Sequence, residues 1–477
     1  MKKETIMGYR VNAKDITTNY TQTLAEFTAN LKYEDIPEDV RERAKHLAMQ
    51  TIGVALGTKG MKLSDDAIAI GKSCGVGEPE ATLWVDGGKV SMSSAVFTNS
   101  TLADALDWED CAWTGHPSAG VIPVSWAAAE GFHRSGKELI TAIVAAYEVY
   151  TRIAMVVQPP EDEDVFKGWG LTSWQVFAGV APAARLMGLT PDQINQAFGF
   201  GVLCCPVQSN LHHITMSDAY HYEHGFRAKD GILAALTAKA GVENYMDCFD
   251  DTYSFDYHMT REPKRDWYTK ELGSRWLTKE VLVKHWPANM WLQTPIELVH
   301  NITTKNGIKP EDIEEIVLDP PTLGRMFFDP AGFNSLTQAQ FSGPYMIAMY
   351  LLNPVPGPNW FDLSMLRDPK VLELAAKVKP GKSSPDIINL CFKGFQRGEF
   401  PMKTVTITTK DGKTYSESMD CHPGHPRNMM SHEEFCDRFR IEAAPTLDAD
   451  KIEKTIEALS HLEDCEDVAE LGWIFSE

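Results

Sequence analysis

Asn99 to Ala119 reads NSTLADALDWEDCAWTGHPSA, and the rest of the chain is organised around this stretch. Asp104, Asp107, Glu109 and Asp110 crowd their carboxylates into a few residues, and His116, Pro117 and Ser118 follow. The run before, Ser91 to Leu106, is small and helix-tolerant. The run after, Val121 to Gly131, is apolar and helical. The acids therefore fall where one helix ends and a loop begins. Acids there oppose the helix dipole and repel one another, each at a cost of roughly a few tenths of a kcal/mol. Crowded carboxylates beside a histidine hold one carboxyl protonated and leave a base available near neutral pH. Trp108 and Trp113 interleave with the acids, and large aromatics seek burial, so the stretch reads as the wall of a cleft. A solvated acidic loop and a divalent-metal site are the alternative readings.

Outward from this stretch the chain is helical on both sides. Thr21 to Asn30 has helical periodicity, and Asp35 to Thr58 is an amphipathic helix running into a buried one. Val85 to Val90, VDGGKV, reads as a connector. Lys137 to Gln158 is apolar nearly all round and belongs in the middle of a core. After a break at Pro159 to Asp164 comes a small-residue helix, Trp174 to Met187. Thr190-Pro191-Asp192 then starts another. Residues 211 to 225, LHHITMSDAYHYEHG, are histidine-rich and precede an Ala-rich helix over Lys229 to Ala240. Asp250 to Asp266 reads as a surface loop.

Near Leu272 the pattern changes. Ile313 to Asp319 reads as a strand, and Val405 to Thr409, Asp411-Gly412 and Thr414 to Met419 as a hairpin. Helices over Thr337 to Leu352 and Pro369 to Val378 lie between. From Ser431 the helical pattern returns. The expected fold is mostly α with an α+β part. A large all-helical domain (1–270) carries a smaller α/β lid domain (271–420), and C-terminal helices (421–477) pack back on the first.

The chain has 477 residues, enough for two or three domains. Its 45 basic and 66 acidic side chains give a net charge of −21, which disfavours nucleic acid and anionic membranes as partners. Nine scattered cysteines show no metal-type spacing and fit a reducing compartment. The polar start, MKKETIMGYRVNAKDITTNY, carries no signal-peptide pattern, and no stretch is expected to span a bilayer, so a cytoplasmic location is expected.

Taken together, these motifs resemble the MmgE/PrpD family, which includes 2-methylcitrate dehydratase, cis-aconitate decarboxylase and iminodisuccinate epimerase. The matching elements are Asn99, Leu106-Asp107, Trp108, Glu109-Asp110 and His116-Pro117-Ser118, then Gly168-Trp169 through Met187-Gly188-Leu189. His224-Gly225 with Lys229-Asp230-Gly231, Lys284 to Pro287, and Phe341-Ser342 with Tyr345 continue the match in order. The resemblance implies a two-domain, mostly helical enzyme with its site between the domains, no metal or organic cofactor, a small carboxylic acid as substrate, and a homodimer.

Departures from the family pattern accompany the matches. Gly170 stands at a usual histidine, His221 at a lysine, Gln293 at a histidine, Asp104 at a histidine and Cys111 at a threonine. Glycine moves no proton, and glutamine hydrogen-bonds without titrating. Asp107, His116 and His221 are the expected catalytic residues: His116 as acid/base, Asp107 as its orienter or a second base, and His221 as a cation beside a developing enolate. Substrate contacts are expected from Cys111, Trp113, Lys167, Trp169, Gly170, His224, Arg227, Lys284 and Gln293. The charged residues among them have ordinary surface charges as the alternative. A dehydratase is the expected activity, with an epimerase, isomerase or decarboxylase as alternatives. A fold that has lost catalysis and serves as a binding protein is the reading from another class.

Overall fold

The computed structural model describes residues 17–476 apart from 76, 79, 113–114, 159, 161–172, 206–214, 245, 251–253, 322–324, 385–393 and 395–398. Its first part is a helical assembly. In chain order come α1 (Tyr20–Asn30), α2 (Glu38–Leu56), α3 (Lys62–Ser73), the short strands β1 (Glu80–Thr82) and β2 (Lys89–Ser91), and α4 (Met92–Asp104). The two-residue strand β3 (Asp110–Cys111) leads into α5 (Pro117–Gly131), α6 (Gly136–Val156), α7 (Val176–Leu186), α8 (Pro191–Cys204), α9 (Ala219–Lys239) and the short α10 (Phe255–Met259).

Helix α6 is the axis of this part. Ser135 and Glu138 cap it reciprocally, and nearly every residue along it is buried. Contrary to the sequence expectation, this helix is long and apolar enough to cross a membrane by length and composition, yet the whole apolar window lies inside the protein. Its two buried charges, Glu148 and Arg152, pair at 2.6 Å.

The second part begins with β4 (Leu282–Val283), which pairs antiparallel with β3, and α11 (Gln293–Asn306). A four-stranded sheet follows, built from β5 (Ile313–Asp319), β6 (Val378–Pro380), β7 (Lys403–Thr409) and β8 (Thr414–Met419) in the order β6-β5-β7-β8. Only β5 and β6 run parallel. Along β7 buried and half-buried residues alternate, so Val405 and Ile407 face the core under α11. Between β5 and β6 lie α12 (Leu336–Gln340), α13 (Gly343–Leu352) and α14 (Pro369–Ala375). The last helices, α15 (His432–Ala443) and α16 (Ala449–Ser460), pack on α2 of the helical part.

Several local expectations are corrected. VDGGKV is the tip of a hairpin whose three-residue strands are too short for a period-2 signal. The histidine-rich segment is helical from Ala219, so α9 starts ten residues earlier than its alanine content suggests. Within the described residues of Asp250 to Asp266 the surface reading holds in part: His258, Arg261, Glu262, Lys264 and Asp266 are exposed, but Ser254, Asp256 and Thr260 are buried, and the buried Asp250 accepts from the backbone of Tyr20 (2.6 Å) and Thr21 (2.9 Å) at the start of α1. Thr337 to Leu352 breaks at Phe341, where Ser342 caps α13 by accepting from Tyr345 N.

Helices α4 and α9 carry the key side chains, and a glycine sets their spacing. A Cβ on Gly225 would lie 2.5 Å from the carbonyl oxygen of Phe97, which is backbone and cannot move aside. Gly225→Ala is therefore expected to destabilise the fold by about 1–3 kcal/mol, the usual cost of overpacking. An unchanged melting temperature would show that the two helices tolerate separation.

Candidate active site

Helix α4 ends at Asp104, and the chain turns through Asp107, which has φ of 49°, a left-handed conformation that aspartate tolerates better than most side chains. The turn aims Asp107 back toward β4. There β3–β4 pairing brings Lys284 alongside, with its backbone N–H donating to Glu109 O at 3.3 Å. Lys284 Nζ donates to Asp107 Oδ1 at 2.6 Å and to Glu109 Oε1, and all three side chains are fully buried. The α15 helix locks this arrangement. Arg438 donates to the carbonyls of Trp108 and Lys284, pairs with Glu442 at 2.5 Å, and lies 4.7 Å from the centre of the Trp108 ring.

His116 stands immediately before α5. Gln175 Nε2 donates to its carbonyl at 2.8 Å, and Tyr150 OH donates to that glutamine's Oε1 at 2.8 Å. The ring is held at both nitrogens: Nδ1 against Glu109 Oε1, and Nε2 against the Tyr220 hydroxyl at 3.0 Å. A carboxylate at Nδ1 fixes the proton there, which leaves Nε2 as the nitrogen that accepts or gives a proton. Burial and Lys284 work against charging the ring, but Glu109 outweighs them and raises its pKa above the usual histidine value.

His221 has a different setting. Its Nδ1 lies 2.6 Å from Asp104 Oδ2 and its Nε2 lies 3.0 Å from Gln340 Oε1. The Gln340 amide cannot be turned round, because its Nε2 donates to Ala105 O at 2.9 Å. Both imidazole nitrogens therefore face acceptors, and both must carry protons. Burial opposes this charge, but the bond to Asp104 raises the His221 pKa. His221 is thus a buried imidazolium joining α9 to α12 of the second part. Both its N–H groups are spent, which corrects the expectation that it acts directly on an enolate.

The remaining charges sort themselves by environment. Burial would raise Asp104, but His224 and His221 together hold its carboxyl well below the usual range. Burial likewise opposes ionisation of Glu109, and Lys284 keeps it low. Burial pushes Asp107 up to about 6, with Lys284 pulling the other way and Glu109 adding to the rise. Asp107 is thus a carboxyl that takes up a proton in the weakly acidic range, above an ordinary aspartate. Asp110 is structural, accepting from Tyr147 OH (2.6 Å) and from the backbone of Ser118 (3.0 Å) at the start of α5. His224 lies 3.3 Å from Asp104 Oδ1 without hydrogen-bond geometry, and burial lowers its pKa. Asp104 Oδ1, Asp107 Oδ2 and Glu109 Oε2 are buried without a partner among the described residues.

Two groups of side chains have metal-ligand character: Asp104, His116 and His224, and Asp107, Glu109 and His116, each with ligand atoms within 4.8 Å of one another. In the second group the Lys284 ammonium already occupies a cation's place between the carboxylates.

The other expected residues divide. Cys111 lies at the cluster with its thiol 3.3 Å from Met290 Sδ, and burial pushes its pKa up to about 12. Gln293 is spent on backbone: its amide donates to Trp286 O (2.9 Å) and Ala288 O (2.7 Å) and accepts from Trp286 N (2.8 Å). Arg227 turns away, bonding Cys204 O and Asp230, each at 3.1 Å. Trp113, Lys167, Trp169 and Gly170 lie outside the described residues. The sequence reading did not assign Tyr220, Gln340, Arg325 or Arg438. No local pattern flags them, because each is defined by a partner from a distant segment.

With this geometry in place, comparison with known proteins is direct. The MmgE/PrpD N-terminal domain profile matches residues 22–267, and the MmgE/PrpD C-terminal domain profile matches 286–464. The chain belongs to the MmgE/PrpD family. It is 26% identical to cis-aconitate decarboxylase of Mus musculus, over 94% of this chain and 92% of that protein. It is 24% identical to cis-aconitate decarboxylase of Aspergillus terreus over 96% of each chain, and 26% identical to that of Homo sapiens over 94% and 93%. Family and relatives together support a lyase-type enzyme.

Lys284→Met is expected to leave two facing buried carboxylates and to cost about 3–5 kcal/mol at neutral pH. Without the ammonium, the folded-state pKa of Glu109 rises above its unfolded value and that of Asp107, already above, rises further. Stability is then best below the unfolded values and falls as pH rises through the folded ones. The variant should lose less melting temperature at pH 5 than at pH 8. Equal losses would show that the ammonium is not what balances these acids.

Proposed function

We propose that the chain is a cofactor-independent lyase acting on a small carboxylic acid, and that its reaction is a dehydration. One observation carries this reading: a histidine and a carboxyl of raised pKa lie together. His116 is backed by Glu109, and the carboxyl of Asp107, pushed up to about 6, has its ligand atom within 4.8 Å of theirs. With the Tyr220 hydroxyl displaced by substrate, His116 Nε2 takes the proton from the carbon beside a substrate carboxylate, and Glu109 stabilises the imidazolium that forms. Asp107 gives its proton to the departing hydroxyl. The C–H and C–O bonds break, a C=C bond forms and water leaves. Proton transfer from His116 to Asp107 then restores both groups. Lys284 keeps the acids from repelling one another throughout.

Decarboxylation is the second reading, favoured by the similarity to cis-aconitate decarboxylases. There a C–C bond breaks, carbon dioxide leaves, and His116 or Asp107 protonates the carbanion. A panel of hydroxy and unsaturated di- and tricarboxylates, followed for alkene formation and for carbon dioxide release, separates the two. His116→Ala should lower kcat by about 10²–10⁴ with the fold intact. Wild-type turnover in that variant would remove His116 from the mechanism.

A homodimer is part of the same proposal. Leu203 near the end of α8, and Phe226 and Leu233 along α9, which packs against it, are exposed apolar side chains. Sedimentation at micromolar concentration should give a dimer, and a monomer there would overturn this assignment.

A further inference from the structure

Arg325 is a cation of the cleft that no described carboxylate neutralises. Lys284 has Asp107 and Glu109, His221 has Asp104, and Arg438 has Glu442. Among the described residues no carboxylate comes within ion-pair distance of Arg325. Its fixed contacts are of another kind. Nε donates to Asn289 Oδ1 at 3.1 Å, the guanidinium carbon lies 4.6 Å from the centre of the Phe341 ring, and its carbonyl accepts from Gly343 N at 2.7 Å. These hold the guanidinium plane on an aromatic face and leave Nη1 and Nη2 without a partner among the described residues.

The fork also has a defined position relative to the chemistry. Phe341, which supports it, meets the Tyr220 ring edge-on at 5.2 Å, and the Tyr220 hydroxyl lies 3.0 Å from His116 Nε2. Arg325 and Phe341 belong to the lid part, and Tyr220 and His116 to the helical part. Across the cleft the Asp107 carboxylate favours the charged form of Arg325. Burial lowers its pKa only to about 10, so the fork is charged at neutral pH.

We propose that Arg325 is the anion-binding subsite of this cleft, gripping through Nη1 and Nη2 a substrate carboxylate other than the one beside the reacting carbon. A planar fork with two adjacent donors fits a carboxylate bidentately. The ligand class is therefore a di- or tricarboxylate spanning from the lid to His116. The inference rests on the lyase reading for the identity of the reacting end, but the subsite itself is a binding property.

The test is titration calorimetry of wild type, Arg325→Met and Arg325→Lys with succinate and tricarballylate, and with neutral succinamide as control. Wild type should bind both acids and not succinamide. R325M should bind them at least about tenfold more weakly, and R325K should fall between, because an ammonium keeps the charge without the fork. Circular dichroism and melting curves establish that each variant is folded. If R325M does not fold, R325K carries the comparison. Equal affinity of wild type and the folded variant for both acids overturns the proposal, as does tight binding of succinamide. If carboxylate binding depends on Arg325 but no acid is turned over, the lyase reading fails and the subsite stands. If an acid is turned over with the same KM in wild type and variant, the subsite fails and the lyase reading stands.

Discussion

The buried ammonium of Lys284 is the constraint on which the site depends. Two carboxylates in a dry interior cannot both ionise without a counter-charge, and a lone ammonium there would lose its own proton. Lys284 resolves both problems by bridging Asp107 and Glu109. The geometry this requires is built from elements far apart in the chain. The β3–β4 pairing sets the register, and the left-handed turn at Asp107 aims its side chain. Arg438 of the C-terminal part holds the carbonyls on either side of the bridge. The returning C-terminal helices therefore act on the active site as well as on the core.

One ammonium shared by two acids is not enough to satisfy both equally, and the inequality is useful. Glu109 also receives His116, so its negative charge is the better compensated. Asp107 has Lys284 as its hydrogen-bond partner and lies next to Glu109, so its pKa rises to about 6 and it is the more easily protonated of the two. A base and an acid thus arise from neighbouring carboxylates of nearly the same sequence environment. Their division of labour comes from which one the histidine touches.

Much of the fold was legible because its signals are local. The bounds of β5 match the stretch Ile313 to Asp319, and the hairpin of β7 and β8 follows from alternation around Asp411-Gly412. The acids do sit at the end of a helix, and α6 does lie in the core. The misses share a cause. Gln293 was read as a substituted active-site group because its segment matched, but its amide is consumed by the backbone of Trp286 and Ala288. The state of His221 depends on Gln340, 119 residues away, and the bridge at Lys284 spans 177 residues to Asp107. Arg325 sits between strand and helix with no periodicity to mark it. Partnership across such separations has no signature in a single sequence.

The substitutions relative to the family pattern acquire a physical meaning from these partners. An acid at position 104 and a histidine at position 221 look, one at a time, like a lost proton carrier and a lost cation. In the fold they are the two halves of one ion pair, 2.6 Å apart, with both imidazole protons directed at acceptors. Neither is free to exchange a proton with a substrate, and neither leaves an uncompensated charge in the interior. Gln293 likewise holds backbone. Positions 104, 221 and 293 have thus been turned to structural use, and the titratable groups left beside them are His116, Glu109 and Asp107. Reading such substitutions as loss of catalysis counts side chains. Counting protons and partners instead leaves the site with its base and its acid in place.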